Sequence, residues 1–206
     1  MVHSGTMVLF QGDSITDAGR SREDDAELGN GYVAMVAAWH AAGNPGDDVR
    51  FVNRGISGNR TKDLLARWEE ECLDLHPDVL SILIGVNDVW RRYDNDDPTS
   101  RADFERTYRT MLEQAVAAGI ARLVLCEPFV LPVPEDRKEW REDLDPKIAA
   151  VRDLAREFGA LYVPLDGMFA AAATRRPPEF WAHDGVHPTP AGHALIARAW
   201  LDAVAE

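Results

Sequence analysis

Four short segments of the chain hold residue types that can do chemistry together. The first is Gly12-Asp13-Ser14-Ile15-Thr16. A serine just after a glycine at a strand-to-helix corner can expose its hydroxyl while its own N–H turns into the crevice. Asp and Ser are also favoured helix N-caps, so a plain cap is the alternative. The second is Asn53-Arg54-Gly55-Ile56-Ser57-Gly58-Asn59-Arg60-Thr61, where two glycines let the backbone approach a ligand and aim a bare N–H at it. A tight loop before a helix would use the same residues. The third is Gly85-Val86-Asn87-Asp88-Val89-Trp90, with an Asn amide able to donate a hydrogen bond, or else serving a turn. The fourth is Asp184-Gly185-Val186-His187-Pro188. An Asp and a His three apart in a loop can set a carboxylate against one imidazole nitrogen and leave the other free. His183 and His187 have the spacing of a metal pair on a helix, but Gly185 and Pro188 argue against helical geometry there, and no metal is expected.

These segments need a scaffold that brings them together. Five apolar runs rich in β-branched residues read as strands covered on both faces: Met7–Phe10, Val49–Val52, Val79–Ile84, Leu123–Cys126 and Ala160–Val163. Between them, helical spacing predicts helices over Tyr32–Ala42, Thr61–Leu75, Ser100–Ala118, Pro146–Phe158 and Pro190–Val204. Gly43, Gly119 and Gly159 stand where left-handed C-terminal caps belong. Ser100 with Asp103 fits a capping box, and Thr189-Pro190 places a hydroxyl cap before a first-turn proline. The expected architecture is one doubly wound α/β domain over residues 1–206, with a five-stranded parallel sheet. Ligands of such sheets bind beyond the carboxyl ends of the strands, where the first three segments fall, while the fourth lies just ahead of the last helix. Pro128–Asp145, rich in proline and charge, reads as the longest irregular insertion, and such loops are often functional.

Composition removes several function classes. The 206 residues are 46% hydrophobic and 28% charged, an ordinary globular balance. A net charge of −13 without a basic stripe repels a phosphate backbone, so nucleic acid is not an expected partner. Cys72 and Cys126 are too few and too far apart for a disulfide framework or a thiol-rich metal site. Met1–Thr6 does not resemble a secretory signal and no apolar run is long enough to cross a membrane, so a soluble, cytoplasmic protein without membrane attachment is expected.

Taken together and in this order, the segments resemble the four motif blocks of the SGNH hydrolases, also called GDSL esterases and lipases. The blocks centre on a Ser, a Gly, an Asn and a His, corresponding here to Ser14, Gly58, Asn87 and Asp184/His187. The resemblance runs from Gly12 to Pro188, and Ile15 in place of the family's Leu is a swap of equal volume. Gly55-Ile-Ser-Gly-Asn, Arg67-Trp-Glu-Glu and Asn87-Asp-Val-Trp-Arg are similar to an intracellular acetylxylan esterase branch. The resemblance implies a three-layer α/β/α sandwich with a five-stranded parallel, flavodoxin-like doubly wound sheet, and acyl transfer through a covalent serine ester. Ser14 is the implied nucleophile, His187 the general base and Asp184 its orienting carboxylate. The N–H groups of Ser14 and Gly58 and the Asn87 amide form the implied oxyanion hole. No cofactor is required, the expected partner is a small-molecule or oligosaccharide ester, and the branch hints at a homo-oligomer.

Trp90 and Trp181 flank crevice segments and can stack on a sugar ring, although tryptophans near a sheet edge more often pack. Asp13 and Asp88 read as structural anchors. Arg91 and Arg92, next to Asp94, Asp96 and Asp97, read as surface ion pairs or an interface, and Trp39, Trp68 and Trp200 as core. The favoured substrate is a short acyl group, acetyl above all, on a carbohydrate. A thioester or lysophospholipid is the alternative, for which the six acidic residues of Pro128–Asp145 make a poor trough. A carbohydrate-binding protein without activity is the third reading, and it has no use for a nucleophile and its base.

Overall fold

A computed structural model describes residues 2–24 and 26–205. Met1, the first residue of the N-terminal segment considered above, lies outside the described residues, as do Asp25 and Glu206. The strands are β1 (Met7–Gly12), β2 (Arg50–Asn53), β3 (Val79–Leu83), β4 (Arg122–Cys126) and β5 (Leu161–Val163). The helices are α1 (Ser14–Asp17), α2 (Tyr32–Gly43), α3 (Thr61–Ala66), α4 (Trp68–Glu71), α5 (Val86–Asp94), α6 (Arg101–Ala117), α7 (Arg141–Phe158), α8 (Leu165–Ala173), α9 (Pro178–Trp181) and α10 (Pro190–Ala205). All sheet pairings are parallel, in the order β2-β1-β3-β4-β5. This is the expected doubly wound, flavodoxin-like arrangement.

Side chains alternate across each strand, so one sheet feeds two cores. Val8, Phe10, Val79, Leu83, Val124 and Cys126 join Val33, Val36, Ile196 and Trp200 of α2 and α10. Leu9, Leu80, Ile82, Leu123 and Leu125 meet Leu64, Trp68, Tyr108, Met111 and Val151 from α3, α4, α6 and α7 on the other face. The chain leaves β1 for β2 on one side and returns to β3 on the other. A crevice therefore opens between the carboxyl ends of β1 and β3, the switch point at which such sheets bind ligands.

Several boundaries depart from the sequence expectation, each for a physical reason. Thr61–Leu75 is not one helix but α3, α4 and a 3₁₀ turn, Leu73–Leu75. The break falls at Arg67, whose guanidinium reaches down to Gln11 Oε1 at 2.9 Å and the Gly12 carbonyl at 3.4 Å, pulling the backbone out of helical register. Buried Leu64, Trp68 and Cys72 keep the i, i+4, i+8 spacing that suggested one helix. The insertion Pro128–Asp145 is largely ordered, because a 3₁₀ turn, Glu135–Trp140, leads directly into α7. Helix α7 thus starts before Pro146 and carries that proline inside it. A helix-interior proline costs ~3 kcal/mol, while burying Trp140 and Leu144 returns roughly 1.5–3 kcal/mol each. Gly119 and Gly159 adopt φ of +84° and +61° as expected. Gly43 instead stays helical, and Asn44 ends α2. Trp68 and Trp200 are core, but Trp39 is 39% exposed, with the Arg198 guanidinium over its ring.

Candidate active site

The corner after β1 is shaped by contact. A Cβ on Gly12 would sit 2.2 Å from Thr16 Oγ1 and 2.5 Å from the Leu83 carbonyl oxygen, so only glycine lets β1 turn this close to β3. Asp13 caps α1 by accepting the Ile15 N–H at 3.0 Å, and Ser14 is the first helical residue. Burial pushes the Asp13 carboxyl up to about 7, against the Ile15 hydrogen bond and the positive charge His187 can carry. The Ser14 Oγ stands 2.9 Å from His187 Nε2.

His187 is aimed by its own loop. Asp184 Oδ1 accepts the backbone N–H groups of Val186 at 3.0 Å and His187 at 2.7 Å, while Oδ2 meets His187 Nδ1 at 2.7 Å. With the proton on Nδ1, Nε2 is left to accept from the serine hydroxyl. Burial raises the Asp184 carboxyl, but the bonds from His187 and Val186 outweigh it and hold the group well below the usual range. The Asp184 bond in turn raises the His187 imidazole, against the opposing effect of burial. Gly185 has φ of +81°, and a Cβ there would meet the Leu131 and Val133 carbonyl oxygens at 2.3 and 2.4 Å. The segment from Leu131 to Val133 thus presses directly on the Asp–His loop, and the Leu131 N–H bonds the Gly185 carbonyl at 2.8 Å.

The two remaining segments are tied to this corner by hydrogen bonds. Ser57 donates its N–H and its hydroxyl to Asp17 Oδ2 at 3.0 and 3.1 Å, joining the Gly58 loop to α1. Asn87 Nδ2 donates one hydrogen to the Asn59 carbonyl at 3.1 Å, joining that loop to α5. Next to it, buried Asp88 accepts the Thr61 N–H at 3.0 Å and the Thr61 hydroxyl at 2.8 Å, capping α3 from another element. Burial raises the Asp88 carboxyl to about 6, opposed by those Thr61 bonds. Gly58 has φ of +84°, a conformation that disfavours any other residue. Among the described residues the N–H groups of Ser14 and Gly58 have no acceptor, and the second amide hydrogen of Asn87 has none either. The crevice therefore holds a serine–imidazole–carboxylate chain, and three N–H donors without an acceptor among the described residues lie at its corner and on the two segments tied to it. Such a set can attack a carbonyl carbon and hold the negative charge that forms on its oxygen.

The aromatic residues divide. Trp90 is half-buried, one turn along α5 from Asn87, and its ring centroid lies 5.9 Å from that of His187 and 5.4 Å from that of Trp140. Trp181 is half-buried in α9 and packs edge-on against Phe180. His183 is exposed, and among the described residues no group of three or more His, Cys, Asp and Glu side chains is placed to hold a metal ion. Arg91 pairs with Asp94 as expected. Arg92 instead meets Glu142 and Asp143, and Asp97 takes Arg60 at 2.5 Å. Sequence reasoning passed over Arg137, Trp140 and His193. Trp140 and Arg137 sit in the supposed loop, and His193 sits inside a helix. There its Nδ1 accepts the Tyr32 N–H at 3.1 Å, and burial lowers the imidazole to about 4.

The chain is similar to known proteins over nearly its whole length. The model of the GDSL-like lipase/acylhydrolase family matches residues 10–195. The chain belongs to that family. An acetylxylan esterase of Geobacillus stearothermophilus is 38% identical over 208 residues, covering 97% of this chain and 94% of its own. The crystal structure of an acetylxylan esterase from that organism superposes with a TM-score of 0.92 at 36% identity, covering all of this chain and 96% of the other. A GDSL-like lipase structure from Parabacteroides merdae reaches 0.95, also at 36% identity, over all of this chain and 98% of its own. This member of the GDSL-like family is a carboxylic-ester hydrolase.

Proposed function

We propose that the protein removes acetyl groups from carbohydrates such as acetylated xylo-oligosaccharides, through an acyl-enzyme on Ser14. The observation that carries this reading is the unbroken chain from Ser14 Oγ through His187 to Asp184, at 2.9 and 2.7 Å. His187 Nε2 takes the serine proton as Oγ attacks the acetyl carbonyl carbon, and Asp184 stabilises the imidazolium that results. The carbonyl oxygen, now negative, is received by the N–H groups of Ser14 and Gly58 and by the Asn87 amide. His187 then returns the proton to the sugar oxygen, the C–O bond breaks, and the alcohol departs. Water, deprotonated by His187, adds to the acyl-enzyme and releases acetate along the same path. Every proton moved belongs to the serine, the imidazole or water, so the scheme needs no cofactor or metal. The carbohydrate assignment is supported by the acetylxylan esterase likeness and by Trp90 beside His187.

The test is a phosphonate titration joined to a substrate series. One adduct per chain on Ser14 is expected, together with rates that fall as the acyl chain lengthens beyond acetyl. Ser14→Ala should retain less than about a hundredth of kcat with an unchanged melting temperature. Modification of a different residue would end the proposal, and faster cleavage of long-chain thioesters or lysophospholipids would redirect it to that substrate class.

A further inference from the structure

The 3₁₀ turn Glu135–Trp140 follows the Leu131–Val133 segment that presses on the Asp184–His187 loop, and it sets Arg137 against the aromatic wall beside the triad. The Arg137 guanidinium carbon lies 3.9 Å from the Trp140 ring centroid and 5.0 Å from that of Trp90. Trp90 in turn touches the His187 ring. The Arg137 side chain is only 15% exposed, yet its donors are poorly used. Its Nε is buried without a hydrogen-bond partner among the described residues, and Asp136 stays 3.9 Å from Nη1. A guanidinium stripped of water without gaining acceptors is costly. Ring faces attract its charge but leave its in-plane N–H groups unanswered.

Arg137 also borders open space. With Val130, Leu131, Pro132, Ala170 and Ala173 it lines a cavity of about 350 Å³, within the ~300–1,000 Å³ range of ligand pockets. The other charges around it are matched. Arg141 grips Asp166 through both Nη atoms at 2.6 and 2.9 Å, and Lys138 meets Glu135 at 2.9 Å.

We infer that this cavity is a subsite for the alcohol half of the ester, where Arg137 donates hydrogen bonds to the oxygens of a neutral sugar next to the acetylated one. The inference rests on the carbohydrate reading above. His187 delivers its proton to the departing alcohol, so the alcohol must lie on the His187 side, and Trp90 and Arg137 stand in sequence beyond it. Apolar walls suit the C–H faces of a sugar, and the guanidinium fork suits its hydroxyls. A carboxylate-bearing sugar is disfavoured because the chain carries −13 overall and an acidic residue already neighbours Arg137.

The test compares kcat/KM on 4-nitrophenyl acetate, acetylated xylose and acetylated xylotriose. Arg137→Ala should lose roughly tenfold to a hundredfold on the trisaccharide, as expected for a hydrogen bond from a charged donor, much less on the monosaccharide and at most a few-fold on the aryl ester. Ala170→Phe fills the cavity while keeping the Arg137 side chain and should produce the same ranking. Equal losses on all three esters in both variants would mean that Arg137 only braces Trp90 and His187, and would overturn the subsite. Undiminished activity of both variants on the trisaccharide would overturn it too. A wild-type protein that cleaves the aryl ester and neither sugar would instead remove the carbohydrate reading on which the subsite depends.

Discussion

Asn87 and His187 serve different moments of the proposed reaction, and their variants should differ accordingly. The spare Asn87 hydrogen matters most when charge has formed on the carbonyl oxygen. Asn87→Ala should therefore lose about 10²–10³-fold in kcat with little change in KM. A change confined to KM would place the amide in ground-state binding. His187 must be neutral to accept the serine proton, and Asp184 raises its imidazole above the ordinary value. The rising limb of kcat/KM against pH should thus lie above ~6.5, the unperturbed imidazole value. Asp184→Asn removes the raising partner, so the limb should move to lower pH while the remaining rate falls. The loss should be smaller than that of His187→Ala. A limb unmoved in Asp184→Asn would assign it to another group. These residues were legible in the sequence because each sits in a short contiguous motif.

At the scale of elements, the site depends on loops pressed together by glycine. Gly185 combines a positive φ with carbonyl oxygens where a Cβ would go. Gly185→Ala must either shift the Leu131–Val133 segment or move the Asp184–His187 loop. We expect a stability loss above ~2 kcal/mol and a collapse of kcat larger than the fraction unfolded explains. Thermal melting and active-site titration on one sample would check this, and wild-type behaviour in both would mean the contact is slack. Element boundaries were less legible than motifs. The break at Arg67 comes from bonds to Gln11 and Gly12, more than fifty residues away in sequence. The run of α7 through Pro146 comes from buried Trp140 and Leu144, which local proline rules do not register.

Across the whole molecule, buried ionisable groups couple folding to pH in opposite directions. His193 is held neutral, with its imidazole lowered to about 4. Its contribution is therefore complete above the unfolded value near ~6.5 and is lost as pH falls towards 4, a span worth about 3 kcal/mol. His193→Gln keeps an acceptor for the Tyr32 N–H but cannot titrate. The stability gap between wild type and this variant should narrow steadily from pH 7 to pH 4.5. Asp13 behaves inversely, because its carboxyl is raised to about 7. Its stabilising share is present below ~4, the unfolded value, and is lost as pH rises through 7. Asp13→Asn should accordingly gain on wild type between pH 5 and pH 8. Urea unfolding at a series of pH values would check both, and parallel stability curves would show that neither group titrates differently on folding.

The sequence by itself determined the chemistry available: a serine, a glycine, an asparagine and an Asp–His pair, each at the carboxyl end of a strand or just before the last helix. It could do so because strand length, apolar runs and motif spacing are local properties. The strand order came with the family likeness and not from the strands' own residues. Only the tertiary structure decided that Asp88 would cap α3, that His193 would accept the Tyr32 N–H, and that Arg137 would lie against two tryptophans with its Nε unpartnered among the described residues. Each of these depends on burial and hydrogen bonding between elements distant in the chain, where the loss of water sets the energies and no short stretch of sequence records the partner.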